Sequence, residues 1–61
     1  MKPKCKLIGT DSNVFALAGA VGRALRGAGQ GDKAEEFNER LMGMGSYDEA
    51  LTLMGEYVDV E

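Results

Sequence analysis

Cys5 is the single thiol of a 61-residue chain that contains no histidine. A thiolate nucleophile is normally activated by a neighbouring imidazole or cation. Without histidine there is no Cys-His or Ser-His-Asp machinery and no imidazole metal ligand. Cys5 alternates with Lys4 and Lys6 and shares a face with Leu7, so it reads as a buried structural thiol. Glu35, Glu36, Glu39, Asp48 and Glu49 are the types needed for acid–base work or for a divalent cation. Their spacing instead suits solvated helix turns, where a first-turn carboxylate is favoured by the helix dipole. No catalytic, cofactor-binding or metal-binding residue is expected, and the chain reads as a non-enzyme.

The glycines raise phosphate binding. Gly27-Ala28-Gly29-Gln30-Gly31 precedes a helix, with Lys33 close behind, but a dinucleotide fingerprint requires a strand before the glycines. Here a helix comes before them, and the pattern G-x-x-x-x-G-K-[ST] is absent. Gly9-Thr10-Asp11-Ser12-Asn13 has the strand-to-helix order that suits an anion at a helix N-terminus. Asp11 would repel such an anion, and helix capping is the better reading of this turn.

Nucleic-acid binding has two forms to weigh. A helix-turn-helix is suggested by two helices joined at Gly43-Met44-Gly45, but its second helix would expose Asp48, Glu49, Thr52 and Glu56 to phosphate. The second form is a basic face of Lys2, Lys4, Lys6, Arg23 and Arg26. Met42, Met44 and Met54, with Tyr47 and Tyr57, are adaptable contact residues that could instead serve a protein partner.

The elements that carry these residues are legible from spacing. Val14, Leu17, Ala18, Val21, Leu25 and Ala28 form one stripe of a central helix over about 13–28. Ala16, Gly19, Ala20, Ala24 and Gly27 make its other side small, which predicts neighbours on both sides. Gly19 and Gly22 each cost about 1 kcal/mol against Ala, so close approach of another backbone is expected. Asp11, Ser12 and Asn13 are all able to cap this helix. The glycine run ends it through a left-handed residue. A second helix over about 32–42 opens at Asp32 with Glu35 in capping-box spacing, and buries Ala34, Phe37, Leu41 and Met44. Ser46-Tyr47-Asp48-Glu49 is a capping box for a third helix over about 46–54, which would bury Tyr47, Ala50, Leu51 and Met54.

Strands are expected at both ends, over about 4–8 and 57–61. Pro3 suits a strand start. Val58 and Val60 would share the inner face with Cys5 and Leu7, leaving Asp59 and Glu61 beside Lys2, Lys4 and Lys6 on the outer face. The fold class is therefore α+β: one small domain over 1–61, β-α-α-α-β, with a two-stranded sheet on three helices. Strand direction stays open, since alternating elements favour parallel pairing and general frequencies favour antiparallel.

Composition bounds the rest. The chain is 44% hydrophobic and 28% charged, ordinary for a globular domain near the lower size limit for a single core. The net charge of −3 is unevenly placed. Residues 1–31 hold five basic and one acidic side chain, and residues 32–61 hold two basic and nine acidic. Mutual attraction of the two halves accounts for this. There is no signal-peptide-like run, and the central helix is too short and interrupted to span a bilayer. A cytoplasmic protein without membrane association is expected.

KCKLIGTDSNVFALAG (residues 4–19), RALRGAG (23–29) and SYDEALTLMGEYVDVE (46–61) resemble a group of short proteins from bacterial and mobile-element genomes that share the pattern KLIGxDxNVFAL…SYDEAL…EYVxVE. The resemblance spans nearly the whole chain and departs at Ser12, where the group has Gly. It implies a compact stand-alone protein, accessory to a mobile element, and it carries no activity or site. The functional expectation is a non-enzymatic interaction module for an unknown protein partner. A nucleic-acid-associated regulator using the basic N-terminal half is the alternative. Two open sheet edges and the small side of the central helix also leave a homodimer open.

Overall fold

The computed structural model describes residues 2–7 and 13–61. Its order is β1 (Lys4–Cys5), α1 (Val14–Gly27), α2 (Gly31–Met42), α3 (Tyr47–Tyr57) and β2 (Asp59–Val60). This is the expected β-α-α-α-β domain. The two strands pair in parallel, with Lys4 opposite Asp59 and Cys5 opposite Val60. Three intervening helices return the chain to its starting end, and that decides the direction the sequence left open. Beyond the paired residues, Asp59 N donates to Pro3 O (2.9 Å), Glu61 N to Cys5 O (2.8 Å) and Leu7 N to Glu61 O (2.9 Å). Pro3 thus enters the ladder as an acceptor, the one main-chain role open to it. Ile8, the expected end of the first strand, lies outside the described residues.

Asn13 is the residue that caps α1, its side chain accepting from Phe15 N at 2.8 Å. The other two cap candidates, Asp11 and Ser12, lie outside the described residues. At the far end Gly29 takes φ +76°. Gly29 N donates to Arg26 O (3.1 Å) and Gln30 N to Leu25 O (2.8 Å), the paired bonds of a Schellman closure. Gln30 is also the N-cap of α2, without a side-chain cap bond. The expected opening at Asp32 is therefore corrected: α2 begins directly from the closure of α1, and Asp32 lies within its first turn. At α3 the Ser46 hydroxyl accepts from Glu49 N (3.2 Å), while the Glu49 carboxylate accepts from Gly45 N (3.4 Å). The capping box closes one residue earlier than its usual form.

The core is centred on Phe37, Leu25, Leu53, Met54, Val21 and Val58, all essentially inaccessible. Cys5, Leu7, Leu17, Ala18, Ala34, Ala50 and Tyr57 complete it. Several sequence expectations need correction. Ala28 is exposed, because the helix has already closed there. Among the described residues no second backbone approaches Gly19 or Gly22. A methyl at either would meet only the guanidinium of the arginine four residues on, at 3.7 Å from Arg23 and 3.2 Å from Arg26. The small side of α1 is filled in part by Ala20 and Ala24 packing on the core. On α3 the buried face is Ala50, Leu53, Met54 and Tyr57, while Tyr47 and Leu51 are exposed. Gly55 does not end α3, which continues to Tyr57. Val58 is buried, and Val60, the ladder partner of Cys5, is 46% exposed and adds less to the core than expected.

Candidate functional site

Two arrangements of polar and apolar side chains stand out, and α2 and α3 contribute to both. The first is a polar clasp. Tyr57 and Phe37 meet edge-to-face, with ring centroids 5.5 Å apart and planes at 64°. The Tyr57 hydroxyl donates to the Glu36 carboxylate. Arg40 Nη1 donates to the same hydroxyl and to Glu56 Oε1, each at 3.3 Å, and its guanidinium carbon stands 5.7 Å from the centre of the Tyr57 ring. These contacts hold the Arg40 pKa above its ordinary value, the Tyr57 bond first among them. These bonds join α2 to α3 through the Tyr57 hydroxyl and the Arg40 guanidinium.

The second arrangement is a groove of about 450 Å³ between the start of α1 and the turn joining α2 to α3. Val14, Phe15, Leu41, Met42, Met44, Tyr47 and Ala50 supply its apolar lining. The helix caps set this geometry. Asn13 fixes the first turn of α1, which carries Phe15, and Ser46 fixes the first turn of α3, which carries Tyr47. Phe15 is 82% exposed, Met42 87% and Tyr47 44%. Leaving such side chains in water forgoes the stabilisation that burial gives, about 1.5–3 kcal/mol for a side chain like Phe or Met. Exposed apolar residues scattered singly carry no message, but contiguous ones around a concavity mark a contact site.

The residues of the expected basic face come from two elements, β1 with its flanks and α1. Lys2 Nζ donates to Gly55 O at 3.0 Å, and Lys4 Nζ lies 3.9 Å from the Glu61 carboxylate with Asp59 opposite it in the ladder. Lys6 is exposed beside them on the strand's outer side. Arg23 and Arg26 lie on α1, with Arg23 close enough to Cys5 to oppose in part the rise in its pKa. Acidic partners and a backbone carbonyl thus offset part of the positive potential the sequence suggested.

Cys5 is buried, and desolvation raises its thiol pKa, which keeps it neutral and unreactive. Gly27–Gly31 is a helix-to-helix turn rather than a strand-to-helix phosphate loop. Most of Gly9–Asn13 lies outside the described residues. Among the described residues no three His, Cys, Asp or Glu side chains form a metal-ligand group. No helix there is long and apolar enough to cross a membrane.

Of the adaptable contact residues noted in the sequence, Met42, Met44 and Tyr47 line the groove, while Met54 and Tyr57 belong to the core. Phe15 was not singled out. Its signal was negative: it falls outside the buried stripe of α1, with only Ala18 and Gly19 three and four residues on. A comparison with protein-family models, curated proteins and solved structures finds no match to this chain.

Proposed function

We propose that this chain is a non-enzymatic protein-interaction module whose contact surface is the apolar groove at the α1 start and the α2–α3 turn. The observation that carries this reading is the pair Phe15 and Met42, almost fully exposed on the rim of an apolar concavity. Outside the groove lining, the described chain buries its large apolar side chains apart from the partly exposed Leu51 and Val60. A partner would remove those two side chains and the groove lining from water, and each fully buried residue contributes about 1.5–3 kcal/mol before ordering costs.

The test is capture of a partner from host lysate, with and without nuclease, by wild type and by Phe15→Asp and Met42→Asp. Phe15→Asp is a clean probe because α1 has no acidic residue in its first turn, where a carboxylate is favourable. The expected result is a stoichiometric protein that survives nuclease and is lost with both variants at unchanged melting temperature. Retention by both variants would overturn the reading. Material lost on nuclease treatment, and lost with the triple Lys→Gln replacement of Lys2, Lys4 and Lys6, would favour the basic-face alternative instead.

A further inference from the structure

We propose that the groove takes a basic amphipathic helix of a partner protein, an inference that rests on the groove being the contact surface. Two observations carry it. The groove walls are helices and a turn, whose main-chain groups are largely satisfied within the domain. Among the described residues no strand borders the groove, so an added β-strand would find no ladder in them. Recognition falls to side chains, and an amphipathic helix presents apolar anchors at i, i+3, i+4 and i+7 for such a groove.

Charge supplies the second argument. Met44 lines both the groove and an adjoining notch of about 340 Å³, whose other walls are Asp48, Glu49, Thr52, Leu53 and Glu56. A helix anchored in the groove therefore sets its flanking residues against Asp48 and Glu49, with Glu56 at the far wall already paired to Arg40. No lysine or arginine is among the described residues that line the notch, and Arg40 is engaged by Glu56 and by Tyr57. Lysine or arginine on the incoming helix complements this surface, whereas acidic flanks are repelled. A second copy of this chain meets the same obstacle. In a two-fold pairing through the groove the second copy carries the same acidic flank, which supplies no complement to this one.

The experiment titrates isotope-labelled protein with two synthetic helical peptides that share one Leu/Phe face, one flanked by Lys and the other by Glu. Amide shifts are followed by NMR while sedimentation monitors self-association. The expected result is movement of Phe15, Met42, Met44, Tyr47 and Asp48 with the Lys peptide, at least tenfold tighter than with the Glu peptide. That margin should shrink as salt rises and narrow in Asp48→Lys. Equal or tighter binding of the Glu peptide in the groove would overturn the basic partner and leave the groove as contact surface. If neither peptide moves the groove signals, or if they move with protein concentration as a dimer forms, both this inference and the reading beneath it fall.

Discussion

The clasp and the groove share α2 and α3, with α1 adding a further wall to the groove, yet they meet water in opposite ways. At the clasp, Phe37 and Tyr57 are buried, and the one polar atom that burial threatens, the Tyr57 hydroxyl, is met by Glu36 and Arg40. At the groove, Phe15 and Met42 stay in solvent and no polar network closes over them. A domain of this size has little apolar surface to spare, so one end that is satisfied and one that is not point to different tasks. The clasp ties α2 to α3, and the groove leaves apolar side chains in water. The comparison can be broken experimentally if stability depends on the groove, or if the clasp can be dismantled without cost.

The largest contrast lies between the two phenylalanines. Phe37→Ala removes a fully buried ring and its partner contact with Tyr57. Such truncations cost about 3–5 kcal/mol, much of the stability of a small domain. Circular dichroism should show a largely unfolded chain at ambient temperature. Phe15→Ala should shift stability by less than about 0.5 kcal/mol, as surface changes do. A cooperative, wild-type-like melt for Phe37→Ala, or an unfolded Phe15→Ala, would reverse the assignment of the two regions.

Tyr57→Phe isolates the polar half of the clasp. The ring stays and only the hydroxyl between Glu36 and Arg40 is lost. A hydrogen bond to a charged group contributes about 1.5–3 kcal/mol, and both partners are exposed enough to regain water, so the lower end is expected. Urea denaturation should show a lower midpoint with an unchanged slope. A midpoint within error of wild type would mean that the clasp is ornamental.

These residues also show how far the sequence could be read. The three helices, the pairing of the chain ends and the Ser46 cap follow from local rules: spacing at three and four, alternation, and turn chemistry. The buried face of α3 did not, and one residue explains why. Gly55 looked like a terminator, which removed Tyr57 from the helix and made Tyr47, Ala50, Leu51 and Met54 the natural stripe. The docking of Tyr57 on Phe37 carries the helix through Gly55, and the stripe becomes Ala50, Leu53, Met54 and Tyr57. Glycine's unfavourable propensity, about 1 kcal/mol, is small beside an aromatic contact and its burial. The groove was half legible. Met42, Met44 and Tyr47 could be named as contact residues, but which methionines are core depends on how α2 crosses α3. That is a tertiary fact.

At the groove end the caps, rather than a polar network, hold the walls. Ser46→Ala removes the acceptor for Glu49 N and should cost about 1 kcal/mol, the usual value for an N-cap. The effect on partner affinity should exceed that on stability, because Tyr47 occupies the first turn that the cap organises. A variant with lower melting temperature but unchanged affinity would show that the groove tolerates fraying of α3 and would weaken the account of how it is shaped.

The smallest effect tests how dry the closed region is. Cys5 lies under α1 with its pKa raised by desolvation, against a lesser opposing pull from Arg23. The unfolded chain ionises its thiol near pH 8.5, roughly the ordinary value, while the folded thiol remains protonated to higher pH. Between those two values the unfolded state binds fewer protons, so stability must fall as pH rises. Below that window the contribution is fully present. Wild type should therefore lose stability relative to Cys5→Ala on going from pH 8 to pH 10, and an alkylating reagent should label native Cys5 far more slowly than the denatured chain. Met42 gives the opposite control, since its exposed thioether should oxidise at the rate of a free methionine. If Cys5 were labelled as fast as Met42 oxidises in mild reagent, or if the two pH curves ran parallel, the sheet side of the domain would be open as well, and the contrast between a sealed region and an exposed one would no longer hold.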